Sequence, residues 1–276
     1  MLKKRLIFTL LYSSGSFMLS RNFRLQAVGN LDWLQRNYDF SRISNYIDEL
    51  VVLDVTREKK NLGEFCEVLK FITLNNFVPI TVGGGVKDVD SARRLLRSGA
   101  DKILINSGLF DTSNLAKELS EEYGQQCVVG SIDLKRSKTG EFQVWSNDGG
   151  RLQEDPARDL LDKALKLEVG EIYLNSMDRD GTGQGLDLDI LELLPARCKQ
   201  PIILAGGAGN SDHLMVGLKD SRVDAVATAN LFNFVGDGLK KARQELVSGG
   251  IVLPMWDLEF RIMHDASRLQ NSGLDE

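Results

Sequence analysis

Two glycine runs, a few strand-ending carboxylates and one acidic turn are the residues of this chain whose types and spacing could do chemistry, and most of them occur twice. The stretch ending in Leu11 matches the one ending in Asp133, and Glu49–Asp54 matches Glu171–Ser176, each pair 122 residues apart (133 − 11; 171 − 49). Gly83-Gly84-Gly85 matches Gly206-Gly207-Ala208, and 101–106 matches 224–229, both at a spacing of 123 (206 − 83; 224 − 101). Glycines that close an apolar strand ahead of a helix let backbone N–H groups approach an anion, which the helix N-terminus also favours. One such run is as compatible with a tight turn as with a ligand. Two at matching places, each followed by a strand ending in a small polar residue, Asn106-Ser107 and, after Ala229, Asn230, point to two phosphate sites on opposite sides of one mouth. The expected ligand therefore carries two phosphate groups.

Asp54 and Asp133 also end apolar runs, where partial burial raises a carboxyl pKa toward the range useful for general acid–base work. A denser cluster runs from Asn175 to Thr182 and contains Asp178 and Asp180. It reads either as a functional group at a strand end or as a turn held by Asx and Thr hydrogen bonds. The repeat breaks at position 11, which is Leu where its twin, 133, is Asp. Leucine cannot transfer a proton.

The elements that must position these residues are short apolar runs without alternation, at 5–11, 50–55, 78–82, 102–106, 127–132, 171–175, 201–205 and 223–228. Strands buried on both faces of a parallel sheet look like this. Amphipathic stretches at 63–75, 89–98, 113–123, 156–168, 188–194 and 212–219 lie between them, several opened by Asp, Ser or Pro as helix starts require. Eight strand–helix units in two homologous halves, about 1–122 and 123–250, predict an α/β fold, a closed (β/α)8 barrel. Residues 12–33 form a long first loop, read as a mobile lid or a plain surface insertion. Residues 251–276 form a C-terminal extension in which Trp256, Phe260, Ile262 and Met263 could pack a short helix on the barrel.

Bulk properties fit one such barrel, which typically needs about 250 residues; the chain has 276. Its formal net charge is −5, with basic and acidic residues interleaved, so nucleic acid is not the expected partner. Cys66, Cys127 and Cys198 lack disulfide or zinc spacing, and with only His213 and His264 present neither a metal site nor a cofactor is expected. Lys3-Lys4-Arg5 followed by apolar residues and a Ser-rich run imitates a secretory signal, but the apolar run is short and its twin at 127–132 is internal. No apolar run approaches membrane-spanning length. A cytoplasmic protein with no membrane partner is the expectation.

Together Thr81-Val82-Gly83-Gly84-Gly85, Ala100-Asp101-Lys102, Ile105-Asn106-Ser107, 131–136, 178–182 and Gly206-Gly207-Ala208-Gly209 resemble the cyclase subunit of imidazole glycerol phosphate synthase over about residues 1–245. The related ribonucleotide isomerase of the same pathway matches less well through 178–182. The resemblance implies a two-phosphate-binding barrel that receives ammonia through its core from a glutaminase subunit docked on the amino-terminal face of the strands. It implies that Arg5, Glu49, Lys102 and Glu171 gate the ammonia entrance and that Asp101 touches the glutaminase. For the mouth it implies a pair of catalytic aspartates, of which only Asp133 is present because Leu11 holds the other place. Ser14 and Leu19 likewise stand where the family has an acid and a phosphate-contacting lysine.

Thr9-Leu10-Leu11 and Leu174-Asn175-Ser176 are similar to a variant group of this family that accompanies sugar-amidating enzymes of surface-polysaccharide biosynthesis. For that group the implied role is supply of glutamine-derived ammonia to a sugar amidotransferase. Two other readings are an ordinary cyclase in which Asp133, alone or with Asp180, performs the acid–base steps, and a non-catalytic regulator that binds a phosphorylated ligand.

Overall fold

A computed structural model describes residues 3–38, 43–111, 114–230 and 237–254. Strand β1 (Arg5–Ser13) opens the chain and is followed by a hairpin, β2 (Ser16–Arg21) and β3 (Arg24–Gly29), and helix α1 (Leu31–Asn37). Then come β4 (Glu49–Asp54), α2 (Leu62–Leu74), β5 (Ile80–Gly83), α3 (Val89–Arg97), β6 (Lys102–Ile105) and α4 (Leu115–Tyr123). The second half runs through β7 (Val128–Arg136), a small hairpin of β8 (Phe142–Ser146) and β9 (Arg151–Leu152), α5 (Ala157–Lys166) and β10 (Glu171–Ser176). It ends with β11 (Ile202–Ala205), α6 (Ser211–Lys219), β12 (Ala225–Thr228) and α7 (Gly238–Ser248).

Strands β1, β4, β5, β6, β7, β10, β11 and β12 pair in parallel around a ring, which β10 closes on β7 and β12 on β1. This is the expected (β/α)8 barrel. Its apolar strands serve two cores, as burial on both faces demands. One lies between sheet and helices; the other fills the barrel with Ile7, Val51, Leu104, Val129, Tyr173, Ile203 and Ala225. Helix starts are fixed by side chains: Asn61 accepts from the Glu64 amide, Asp88 and Ser91 form a capping box, and Asn210 accepts from the His213 amide at 2.9 Å.

Four expectations change. Residues 12–33 form the hairpin β2–β3 and the start of α1. The expected helix at 188–194 is a 3-10 segment, Leu188–Leu193, stopped before Pro195, whose ring disfavours helical backbone in the preceding residue. The β8–β9 hairpin is an addition to the expected elements. The glycine register shifts by one: Ile80–Gly83 and Ile202–Ala205 are corresponding strands 122 apart, so Gly84 answers to Gly206. Gly84 lies against the backbone of Asp54, and Gly206 against that of Ser176, the twin of Asp54.

Of the C-terminal extension, 251–254 lies against the floor, where the Val252 carbonyl accepts from the Lys4 amide at 3.0 Å. Trp256, Phe260, Ile262 and Met263 fall outside the described residues.

Candidate functional site

At the carboxyl ends of the strands the barrel opens into a cavity of about 410 Å3. Register decides what faces it. Leu11 pairs with Leu53, and Asp133 pairs with Asn175, so twin positions of the two halves put an apolar wall on one side and polar groups on the other. The Asp133 carboxylate accepts from Asn175 Nδ2 at 3.0 Å and from Asn106 Nδ2 at 3.3 Å. Burial pushes its pKa up to about 7; the Asn175 hydrogen bond opposes the shift, and Asp148 and Asp180 add to it. A carboxyl in that range can both take and give a proton near neutral pH.

Asp180, the other catalytic candidate from the sequence, also lines the cavity but is already engaged. Its Oδ2 accepts from the Ser20 hydroxyl and, at 3.0 Å, from the Phe23 amide, while its carbonyl accepts from the Asn22 amide at 2.9 Å. These bonds bolt the β2–β3 tip onto the loop after β10. Gly181 is needed there, because at its φ of 65° a Cβ would stand 1.8 Å from the Ser20 carbonyl oxygen. Burial holds the Asp180 carboxyl above its ordinary pKa, against the pull of the Ser20 and Phe23 hydrogen bonds.

The glycine rims reach the cavity through Gly84 on one side and Gly206, Gly207, Ala229 and Asn230 on the other, with Asn106 and Asn175 between. Other candidate residues do not face it. Gly83 ends β5 against Leu104, and Gly85 lies under the Lys60 side chain. The Ser107 hydroxyl accepts from the Asn147 amide at 3.1 Å, Asp178 accepts from the Arg136 amide at 2.7 Å, and the Thr182 hydroxyl donates to the Arg179 carbonyl at 2.7 Å. These three brace the rim. Sequence reasoning misses Lys60, whose ammonium lies 3.3 Å from Asp148 beside the first rim, because a lysine in a run of charged residues carries no distinguishing pattern.

At the opposite end, side chains from β1, β4, β6 and β10 form a closed ring of alternating charge. Arg5 reaches Glu49 at 2.9 Å and Glu171 at 2.6 Å, and Lys102 reaches the same two carboxylates at 3.1 and 2.7 Å. Thr81 donates its hydroxyl to Glu49. The glutamates are twins, one per half, whereas both cations come from the first half. Burial opposes charge on Glu171, but the Arg5 hydrogen bond and the two cations keep its carboxyl below the ordinary range. Asp101, next to the ring in sequence, accepts from the Ile80 amide at 2.8 Å. Between ring and mouth the barrel is filled by apolar side chains, relieved by Thr9 and Tyr173, whose hydroxyls are 3.4 Å apart.

A (β/α)8 barrel with glycine rims, a buried strand-end carboxyl at the mouth and an ionic ring at the floor defines the class. Residues 38–236 match the family described as "Histidine biosynthesis protein". The chain is also 45% identical, over 245 residues covering 89% of it and 91% of the relative, to a protein of Parasynechococcus marenigrum (strain WH8102) provisionally named imidazole glycerol phosphate synthase subunit hisF2. The chain belongs to this histidine-biosynthesis barrel family, in its cyclase-subunit branch. Among the described residues no helix is long and apolar enough to cross a membrane.

Proposed function

We propose that this barrel is the ammonia-receiving subunit of a glutamine amidotransferase, fed at its floor by a glutaminase and delivering ammonia for amidation of a sugar acceptor in surface-polysaccharide synthesis. The observation that carries the reading is the pairing of a complete ionic ring at the floor with Leu11 in place of a second acid at the mouth. Neutral ammonia can enter an apolar barrel, whereas burying ammonium there without a partner is prohibitively costly. Lys102 is the ring member with a single-point charge on a flexible stem, suited to swing aside. Asp101 lies on the docking face, and Gly84, Gly206, Gly207, Asn106, Asn175, Ala229 and Asn230 hold a phosphorylated ligand whose binding signals the glutaminase.

The test reconstitutes the full chain with its glutaminase and follows glutamine hydrolysis against free ammonia. Lys102→Ala is expected to release ammonia to bulk solvent while hydrolysis continues. Unchanged coupling would remove the gating role.

A second reading, the cyclase and lyase step that yields imidazole glycerol phosphate, is favoured by the name of the relative and by the near-neutral pKa of Asp133. Here Asp133 would work alone or with Asp180.

A further inference from the structure

Leu19 leaves the hairpin without the lysine that the family resemblance places there, yet the hairpin presents two other cations. Arg21 and Arg24 are direct partners across β2–β3, joined by the two-residue turn Asn22-Phe23. Directly opposed side chains leave the same face of a hairpin with Cβ atoms about 5 Å apart, and like charges placed so repel. A third guanidinium lies at the turn that joins them: Arg57, in the loop after β4, donates to the Phe23 carbonyl. All three arginines line the mouth cavity, and none forms an ion pair among the described residues.

The tip is held in an unfavourable backbone. Asn22 and Phe23 have φ of 52° and 62°, and a bulky aromatic residue in the left-handed region is an outlier that surrounding structure must enforce. Asp180 accepts the Phe23 amide, and Asn22 Nδ2 donates to the carbonyls of Met177 at 3.2 Å and Asp178 at 2.7 Å. The four carboxylates that line the cavity are engaged elsewhere: Asp180 by the hairpin backbone and Ser20, Asp148 by Lys60, Asp54 by the Thr56 amide and Lys60, and Asp133 by Asn175 and Asn106. The structure thus anchors the backbone that carries two arginines without ion pairs over the mouth and seats a third arginine against the turn between them.

We propose that Arg21, Arg24 and Arg57 form a third oxyanion site at the outer edge of the mouth, which takes a phosphoryl group, most simply one end of a phosphoanhydride. The proposal rests on the reading of the mouth as a phosphate-binding cavity and adds a chemical class to it. Guanidinium forks match the paired oxygens of phosphate and carboxylate alike, but three positive charges are better balanced by a dianion than by a single carboxylate. The site would prefer ligands longer than those that span the glycine rims alone.

Calorimetric titration of the full chain with pyrophosphate at low ionic strength tests this, using R21Q/R24Q, Arg57→Gln and, for the glycine rim, the isosteric Asn230→Asp. Glutamine at these exposed positions keeps the stem and leaves the fold intact. R21Q/R24Q is expected to weaken pyrophosphate at least 10-fold, to flatten the salt dependence and to raise Tm in anion-free buffer by removing the repulsion; Arg57→Gln gives a smaller loss. Unchanged affinity in R21Q/R24Q alongside a loss in Asn230→Asp would overturn the arginine site and keep the rims. Loss in R21Q/R24Q with none in Asn230→Asp would uphold it and remove the rim reading. No binding of pyrophosphate at millimolar concentration would overturn both. Equal affinity for malonate would overturn the phosphoryl assignment.

Discussion

Leu11 and Asp133 stand at equivalent levels of the two half-barrels, Leu11 registered on Leu53 and Asp133 on Asn175. At that level the wall is thereby apolar on one side, and Asp133, buried on the other, accepts, among the described residues, only from the side-chain amides of Asn175 and Asn106. This relationship governs both the chemistry available and the response to pH.

Asp133→Asn should change the dependence of stability on pH. The folded-state pKa of Asp133 is about 7 against an ordinary value of 3.8, so the native state holds its proton more tightly than the unfolded chain. Stability from this group is present below about pH 4 and lost as pH rises through about 7. A tenfold difference in proton affinity between the folded and unfolded states is worth about 1.4 kcal/mol, so Asp133→Asn should be more stable than the parent by about 2–4 kcal/mol at pH 8 and nearly equal to it at pH 4. Urea unfolding at the two pH values checks this; equal differences would contradict it.

Asp180→Ala should free the hairpin tip. Three hydrogen bonds to the loop after β10 pass through residue 180, two of them to its side chain. Limited trypsin digestion at Arg21 and Arg24 is expected to accelerate several-fold with little change in global Tm. Resistance equal to the parent would show that Asn22 alone suffices to hold the tip.

Asp48→Ala should be the most destabilising of these changes. Asp48 and Arg243 are both 2% exposed and meet in a two-pronged ion pair at 2.9 and 3.1 Å, and Asp48 also accepts the Leu6 amide at 2.7 Å. Removing one partner leaves a buried guanidinium uncompensated, at a cost of about 3–5 kcal/mol. A loss below about 1 kcal/mol in denaturant unfolding would contradict this.

The barrel is legible in the sequence because parallel strands buried on both faces leave short unbroken apolar runs, as at β4 and β12, and because the chain repeats. The glycine register is not: residue identity aligns Gly83 with Gly206, whereas strand ends and backbone neighbours align Gly84 with Gly206. The four ring residues are legible only through the family resemblance, since Arg5, Glu49, Lys102 and Glu171 have no local pattern and meet only when the sheet closes. The hairpin is hidden because its turn is Asn22-Phe23, lacking the glycine that usually marks a left-handed turn. The strand-end position of Asp180 suggests chemistry, but its engagement by Ser20 and Phe23 depends on a contact that spans most of the chain.

The proposed role joins an ammonia entrance at the floor to a mouth that has Leu11 where the resemblance places the cyclase's second acid. Losing one acid–base partner typically costs ~10²–10⁴ in rate. The most direct measurement is turnover of the family's cyclase substrate by the full chain supplied with ammonium salt, beside Leu11→Asp. Almost no imidazole glycerol phosphate is expected from the parent, and a gain of at least about 10² on Leu11→Asp. Turnover by the parent at a rate that Leu11→Asp does not improve would contradict the proposed role.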